Sequence, residues 1–250
     1  MATGGAALFS RFAFPPNDLG YCGPADSQLL VDLMTSGTDE IEEFRNVIPA
    51  FAGAWPYLEL IAASANRDPL NPGVVEAYWL GNSLLEQVDL LLLGNSVEDR
   101  FRRRAGLDWV AVADGLNAGA RPTHAFHVFC IYPWVGMLRS GVVEQALHVL
   151  DRCRIRWGQV TGDTGDRLLV RSRPLVWDGR ILGLGPEQTE SVLWPVDSRP
   201  VAPGDWVAMH WDYVCQRISP TQRARLERYH NLHLEIANMN ASALESVVEK

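Results

Sequence analysis

Apolar residues recur along the first half of the chain at helical spacing, and along the second half with the alternation of strands. Leu29, Leu30, Leu33 and Met34 share one face at i, i+1, i+4 and i+5. Thr38-Asp39-Glu40-Ile41 predicts a helix start, since acids in a first turn are favoured by the helix dipole. Ile41, Phe44, Ile48 and Phe51 continue an apolar face as far as Gly53. Trp55-Pro56 opens another helix, with proline in the first turn where its missing N–H is not needed. Val74–Leu80 and Leu84–Leu93 predict two short helices, and Ser96-Val97-Glu98-Asp99 has the form of a capping box that would start a third. Trp134–Arg139 and Val142–Leu150 complete a helical half. Residues 1–24 read as irregular, with Pro15-Pro16-Asn17-Asp18 and Gly20-Tyr21-Cys22-Gly23-Pro24 as turn clusters.

The period changes after Cys153. Ile155 and Trp157 alternate with Arg154 and Arg156, and Leu168–Arg173, Val176-Trp177, Ser191–Val196 and Trp206–Trp211 are strand-like runs. Gly162–Asp166 and Asp178-Gly179 supply hairpin turns. Several short strands in about sixty residues predict a small barrel. Ser219-Pro220 then opens a final helix whose apolar face is Leu226, Tyr229, Leu232, His233 and Ile236. The expected class is α+β: an N-terminal all-α domain, residues 1–150, followed by a small OB-like β-barrel with a C-terminal helix, residues 151–250.

Composition narrows the function classes. A hydrophobic share of 47% and a charged share of 21% describe an ordinary soluble protein. No apolar run reaches the roughly 18 residues of a membrane helix, and no basic segment precedes an apolar block at the N-terminus. A cytoplasmic protein without a membrane partner is therefore expected. Net charge is −8; residues 1–152 hold 10 arginines against 18 acids, while residues 153–250 hold 12 cations and 12 acids. With no basic stripe, nucleic acid is not the expected partner. The short cluster Phe101-Arg102-Arg103-Arg104 reads as a solvated face paired with nearby acids. The four cysteines are far apart and form no C-x-x-C pair, so neither a disulfide framework nor a four-thiolate zinc site is expected.

Two stretches carry candidate chemistry. Cys153 stands where the helical pattern stops, and His210 ends a strand-like run, so a thiol and an imidazole can share one metal ion. His124 and His127 fall at i, i+3, a spacing that lets two imidazoles meet one metal, with Cys130 on or near the same side. The bland alternative is a buried helix with internally hydrogen-bonded histidines, since Phe126, Val128 and Phe129 make the segment apolar all round. Cys22 is either buried in a tight turn or presented on a loop toward a site; Cys215 reads as packing. Arg152, Arg154 and Arg156 flank Cys153. They either favour its thiolate and attract an anionic complex, or form the solvent face of an edge strand.

The C-terminal hundred residues resemble the small NiFe-hydrogenase maturation chaperones of the HypC/HupF type. Cys153 and Gly158 match the cysteine and the glycine five residues beyond it that open those proteins. Gly204-Asp205-Trp206-Val207-Ala208-Met209-His210 matches a later Gly-Asp-aromatic-Val-x-x-His strand, with Tyr213 and Ile218-Ser219 in their expected places. The chain departs from the pattern where Trp157 replaces a proline, where Arg171-Ser172-Arg173-Pro174 replaces an Asp-Phe-Gly-Gly segment, and in its internal cysteine. The resemblance implies a short barrel followed by a helix and a non-catalytic metallochaperone role. Cys153 would hold iron, as an iron-cyanide/carbonyl fragment, with His210 as second ligand or orienting group. The implied partners are a hydrogenase large-subunit precursor and other maturation proteins. The whole chain also resembles an uncharacterised bacterial family. Two other readings stand beside this one. In the first, a metal-dependent enzyme uses His124 and His127, with Cys22 or Cys130, in ligand synthesis; in the second, the chain is an interaction module without metal.

Overall fold

The computed structural model describes residues 4–25, 27–36, 41–101, 109–194 and 201–248. Its helical half runs through α1 (Gly5–Asp18), α2 (Gln28–Ser36), α3 (Ile41–Val47), α4 (Trp55–Ala65), α5 (Pro72–Trp79) and α6 (Leu90–Phe101). It continues with α7 (Trp109–Asn117), α8 (His124–Phe126), α9 (Trp134–Arg139) and α10 (Val143–Cys153). Strands follow: β1 (Arg156–Asp163), β2 (Arg167–Ser172), β3 (Leu175–Trp177), β4 (Leu182–Leu184), β5 (Gln188–Leu193), β6 (Trp206–His210) and β7 (Tyr213–Ile218). Helix α11 (Pro220–Val248) comes last. The chain is thus a mixed α+β protein, helices first, then sheet and terminal helix.

Local chemistry explains most boundaries and corrects several expectations. The segment read as irregular forms α1, because Leu8, Phe9, Phe12 and Ala13 find a core to enter. Pro15 and Pro16 sit in its last turn rather than in a separate loop. Ser96 starts no helix; it lies inside α6, whose first turn is capped by the Asp89 carboxylate accepting the Leu91 N–H at 2.7 Å. Leu84–Leu93 is not one helix either. A 3₁₀ turn at Ser83–Gln87, capped by the Asn82 side chain, precedes α6. Strands β4 and β7 escaped the sequence reading, the second because Tyr213–Ile218 looks like the exit of the previous run. Thr38–Glu40 and Arg102–Arg104 lie outside the described residues. The start of α11 is as expected. The Ser219 hydroxyl accepts the Gln222 N–H, and the Gln222 side-chain oxygen accepts the Ser219 N–H at 2.9 Å.

The five longer strands pair in the order β1-β2-β5-β7-β6, and β1 pairs β6 as well as β2. All these pairs are antiparallel except β5 with β7, which meet at Leu193 and Tyr213. Val160, Val170, Val192, Val207 and Met209 fill the inside. The β3–β4 hairpin packs apart, placing Leu175 and Leu182 in one cluster with Val149 and Leu150 of α10. The largest core joins the halves: Phe9, Phe12, Trp79 and Phe126 are continuous with Ile155, Ala208, Ile218 and Leu226. Among the described residues, no single helix is long and apolar enough to cross a membrane.

Candidate metal centre

Cys153 is the last residue of α10, His210 the last of β6, and His124 the first of α8. One ligand atom from each lies within 4.8 Å of the others, and all three residues are buried. The expected thiol–imidazole convergence is therefore present, and it carries a third donor from the helical half. His124 Nε2 is 3.9 Å from Cys153 Sγ. That is close to the roughly 3.6 Å separating N and S ligands on one tetrahedral ion. The segment is held from both sides. Thr123 caps α8 by accepting the Phe126 N–H at 3.3 Å, and the Arg121 N–H donates to His233 Nε2 on α11 at 3.0 Å.

The paired reading of His124 and His127 is corrected. His127 opens a π-helical turn, His127–Ile131, and its Nδ1 lies 3.1 Å from the Tyr57 hydroxyl. It faces the same cavity but stands outside the three-donor group. Neighbouring imidazoles on this segment are claimed by different tyrosines: His124 Nδ1 lies 3.0 Å from the Tyr78 hydroxyl. Cys130 is set against the His233 carbonyl instead, and Cys215 against that of Tyr213, the latter packed as expected.

Backbone defects and hydroxyls aim the donors. In a regular helix the Phe12 carbonyl would accept the N–H of residue 16, which is proline and has none. That carbonyl instead accepts from His210 Nδ1 at 2.6 Å. The proton is thereby fixed on Nδ1, leaving Nε2 as a buried lone pair that makes no well-formed hydrogen bond among the described residues, with the Cys153 backbone close by. A metal-ligating imidazole characteristically donates its other N–H to a carbonyl in this way. His124 has two tautomers open to it. In one, Nε2–H donates to the Cys153 carbonyl at 2.8 Å and Nδ1 accepts from Tyr78. In the other, Nδ1–H donates to the Tyr78 oxygen while the Tyr78 hydroxyl donates to the Gly53 carbonyl at 2.8 Å. Only the second offers Nε2 to a metal. The donor set therefore fits a borderline transition metal that accepts one sulfur and two nitrogens.

Burial sets the charge states. It lowers His124 to about 4 and pulls His210 well below the usual imidazole range, helped there by the His124 imidazole. Both rings are neutral at pH 7, the form that binds metal. Burial pushes the Cys153 thiol up, so a metal must displace a proton to obtain the thiolate.

Neither reading of the flanking arginines survives. Arg154 and Arg156 are buried, at 1% and 2% exposure, so they are not a solvent face. Nor do they free the thiolate, because each is spent on another anion. Arg154 pairs with Asp151 at 2.9 Å and also donates to the Arg173 carbonyl. Arg156 pairs with Glu190, which is further bound by Arg152 at 2.8 Å. Their work is positional. Trp211, beside His210, has a left-handed backbone (φ 52°). Arg156 donates to its carbonyl, and its own N–H donates to the Arg152 carbonyl at 2.8 Å. This turn ties the His210 strand to the helix end bearing Cys153.

The three donors line a cavity of about 430 Å³, together with Cys22, Phe51, Tyr78, Trp79, His127 and Trp211. The loop Gly20–Pro24 borders it. Gly20 and Gly23 have positive φ, 73° and 83°, and Asn17 Nδ2 donates to the Cys22 and Pro24 carbonyls. Tyr21 stacks on Trp211 with ring centroids 4.3 Å apart. Cys22 is thus presented toward the cavity, its thiol pushed up to about 12 by burial. Of the site, Tyr78, Trp79, Trp211 and the Phe12 carbonyl had no sequence signal beyond apolar or turn character.

No curated protein and no solved structure matches the chain, so the likeness of residues 151–250 to hydrogenase maturation chaperones rests on their short motifs alone. A family model does match, spanning both the helical half and the sheet through residues 1–244; the chain belongs to that family, a family of unknown function, DUF6390.

Proposed function

We propose that this protein binds one transition-metal ion through Cys153, His124 and His210. The observation that carries the reading is His210 Nε2: a lone pair fully buried, held in one tautomer by the Phe12 carbonyl, and making no well-formed hydrogen bond among the described residues. Leaving such an acceptor unsatisfied costs about 1–3 kcal/mol, which a metal would recover. A soft thiolate with two imidazoles suits iron, zinc, cobalt or copper rather than magnesium or calcium.

Within that reading, the specific role is the one implied by the motifs around Cys153 and His210. The chain is a cytoplasmic metallochaperone whose cargo is iron, as a cyanide/carbonyl fragment, delivered to a hydrogenase large-subunit precursor alongside other maturation proteins. The β1-β2-β5-β7-β6 sheet with α11 then corresponds to the OB-like barrel and helix of those chaperones. The helical half adds a third donor, His124, which supports tighter retention of the cargo. The test is infrared spectroscopy of protein purified without oxygen from its own host. Cyanide and carbonyl stretching bands that vanish in Cys153→Ala are expected; a spectrum without bands, from protein with bound iron, would sink the cargo while leaving the metal site.

A second reading has one specific observation in its favour. His127 and Tyr132 line the same cavity as the donor trio, their ring centroids 4.2 Å apart, and can act together as an acid–base pair on a substrate held there by a metal-dependent enzyme. His127→Ala would then abolish turnover and leave metal content unchanged.

A further inference from the structure

Resting on the metal-binding reading, we propose that the centre takes one exogenous monoanion, of the small linear kind that includes cyanide and azide, and that the indole N–H groups of Trp79 and Trp211 receive it. Charge is the first argument. A divalent ion on one thiolate and two neutral imidazoles is left with one net positive charge. The described residues around the cavity include no carboxylate to balance it. Arg156, on the adjoining strand, is already paired with Glu190. An uncompensated charge in an apolar enclosure is strongly disfavoured, and a single anion on the metal removes it.

Hydrogen bonding is the second argument, and it is independent of charge. Trp79 and Trp211 are buried, yet the Nε1 of each has no hydrogen-bond acceptor among the described residues. Buried indoles ordinarily find one. Both tryptophans line the cavity that holds the three donors. The Trp79 ring lies 4.8 Å from that of His124 and 5.7 Å from that of His210, while Trp211 follows His210 directly. Two orphaned donors and an orphaned imidazole lone pair on the walls of one cavity describe a ligand that gives electrons to the metal at one end and accepts hydrogen bonds at the other. Cyanide and azide have that form. The competing fourth ligand is Cys22, but its loop is held by Asn17 and by the Tyr21–Trp211 stack, and its thiol is not among the converging donors.

The experiment loads the full chain with cobalt(II) under argon and titrates azide, following the visible bands. One azide per cobalt is expected, with Trp79→Phe and Trp211→Phe each weakening azide roughly tenfold, the scale of one hydrogen bond to a charged group. Failure to bind cobalt would remove the metal reading itself. Cobalt binding without any azide response would overturn this inference alone. So would azide affinity unchanged from wild type in both tryptophan variants, or loss of one cobalt–thiolate band in Cys22→Ser, which would make Cys22 the fourth ligand. A measurement needing no variant is the azide stretch of the wild-type complex, which should shift on exchange into heavy water.

Discussion

Two pairs of buried histidines in this molecule look alike by every measure but one. His230 and His233 on α11 are as buried as His124 and His210, and burial lowers all four below the usual imidazole range. The difference lies in their hydrogen bonds. His233 accepts the Arg121 N–H at 3.0 Å and meets the Thr123 hydroxyl at 3.3 Å. His230 lies 3.2 Å from both Arg154 Nη1 and the Asn231 side-chain oxygen. Those two rings are complete as they stand and brace neighbouring segments. His210 keeps a lone pair that makes no well-formed hydrogen bond, and His124 can free one by changing tautomer. Completeness of hydrogen bonding, rather than burial or charge state, separates a bracing histidine from a candidate ligand.

Acid should treat the pairs alike, and its effect is the largest. The unfolded chain takes up protons near pH 6.5, whereas folded His124 stays neutral to about 4 and His233 to about 3. The unfolded state therefore binds more protons in this window, and stability falls as pH drops from 6.5 toward 4. His124 alone accounts for roughly 3 kcal/mol of that loss. Denaturation midpoints measured across the range check it, and a flat profile would contradict the burial of these rings. Removing a ligand should split the pairs. His210→Ala and Cys153→Ser should weaken cobalt(II) binding at least about a hundredfold, whereas His233→Ala, which loosens the segment before His124 without removing a donor, should weaken it far less. In exchange, His233→Ala strands the Arg121 N–H and should cost about 2–3 kcal/mol in urea unfolding. Tyr78→Phe leaves the His124 Nδ1 proton without its acceptor; a ten- to hundredfold loss of cobalt affinity is expected, by about the scale of second-layer partners. The smallest effect belongs to Pro16→Ala. It restores an N–H that competes for the Phe12 carbonyl, and should lower affinity roughly threefold while leaving the secondary structure, read by circular dichroism, intact.

The sequence was informative where a single element decides the outcome. The burial of Phe44, Ile48 and Phe51 and the Ser219 cap are local and read correctly, although α3 ends at Val47 and a 3₁₀ turn, Ile48–Ala50, carries the face onward. The meeting of Cys153 with His210 was expected from their places, one where the helical pattern stops and the other at the end of a strand-like run. His124 was noticed, but with the wrong companion, since helical spacing suggests His127 and says nothing of a strand almost ninety residues later. The arginines misled for a related reason. Alternation implies a wet face, yet carboxylates from distant positions, Asp151 and Glu190, carry Arg154 and Arg156 into the interior. Pro15-Pro16 looked like a turn because proline breaks helices. Here the broken bonds fall in a last turn, where α1 is already built.

The proline in α1 has a consequence beyond its own helix. One absent amide hydrogen in the first twenty residues decides which way an imidazole nearly two hundred positions later presents its electrons. Expressed separately, a fragment ending at residue 150 and one beginning at 151 would each lack part of the constellation. Any ion gripped by both would resist their separation, so that its affinity is felt as cohesion of the entire polypeptide.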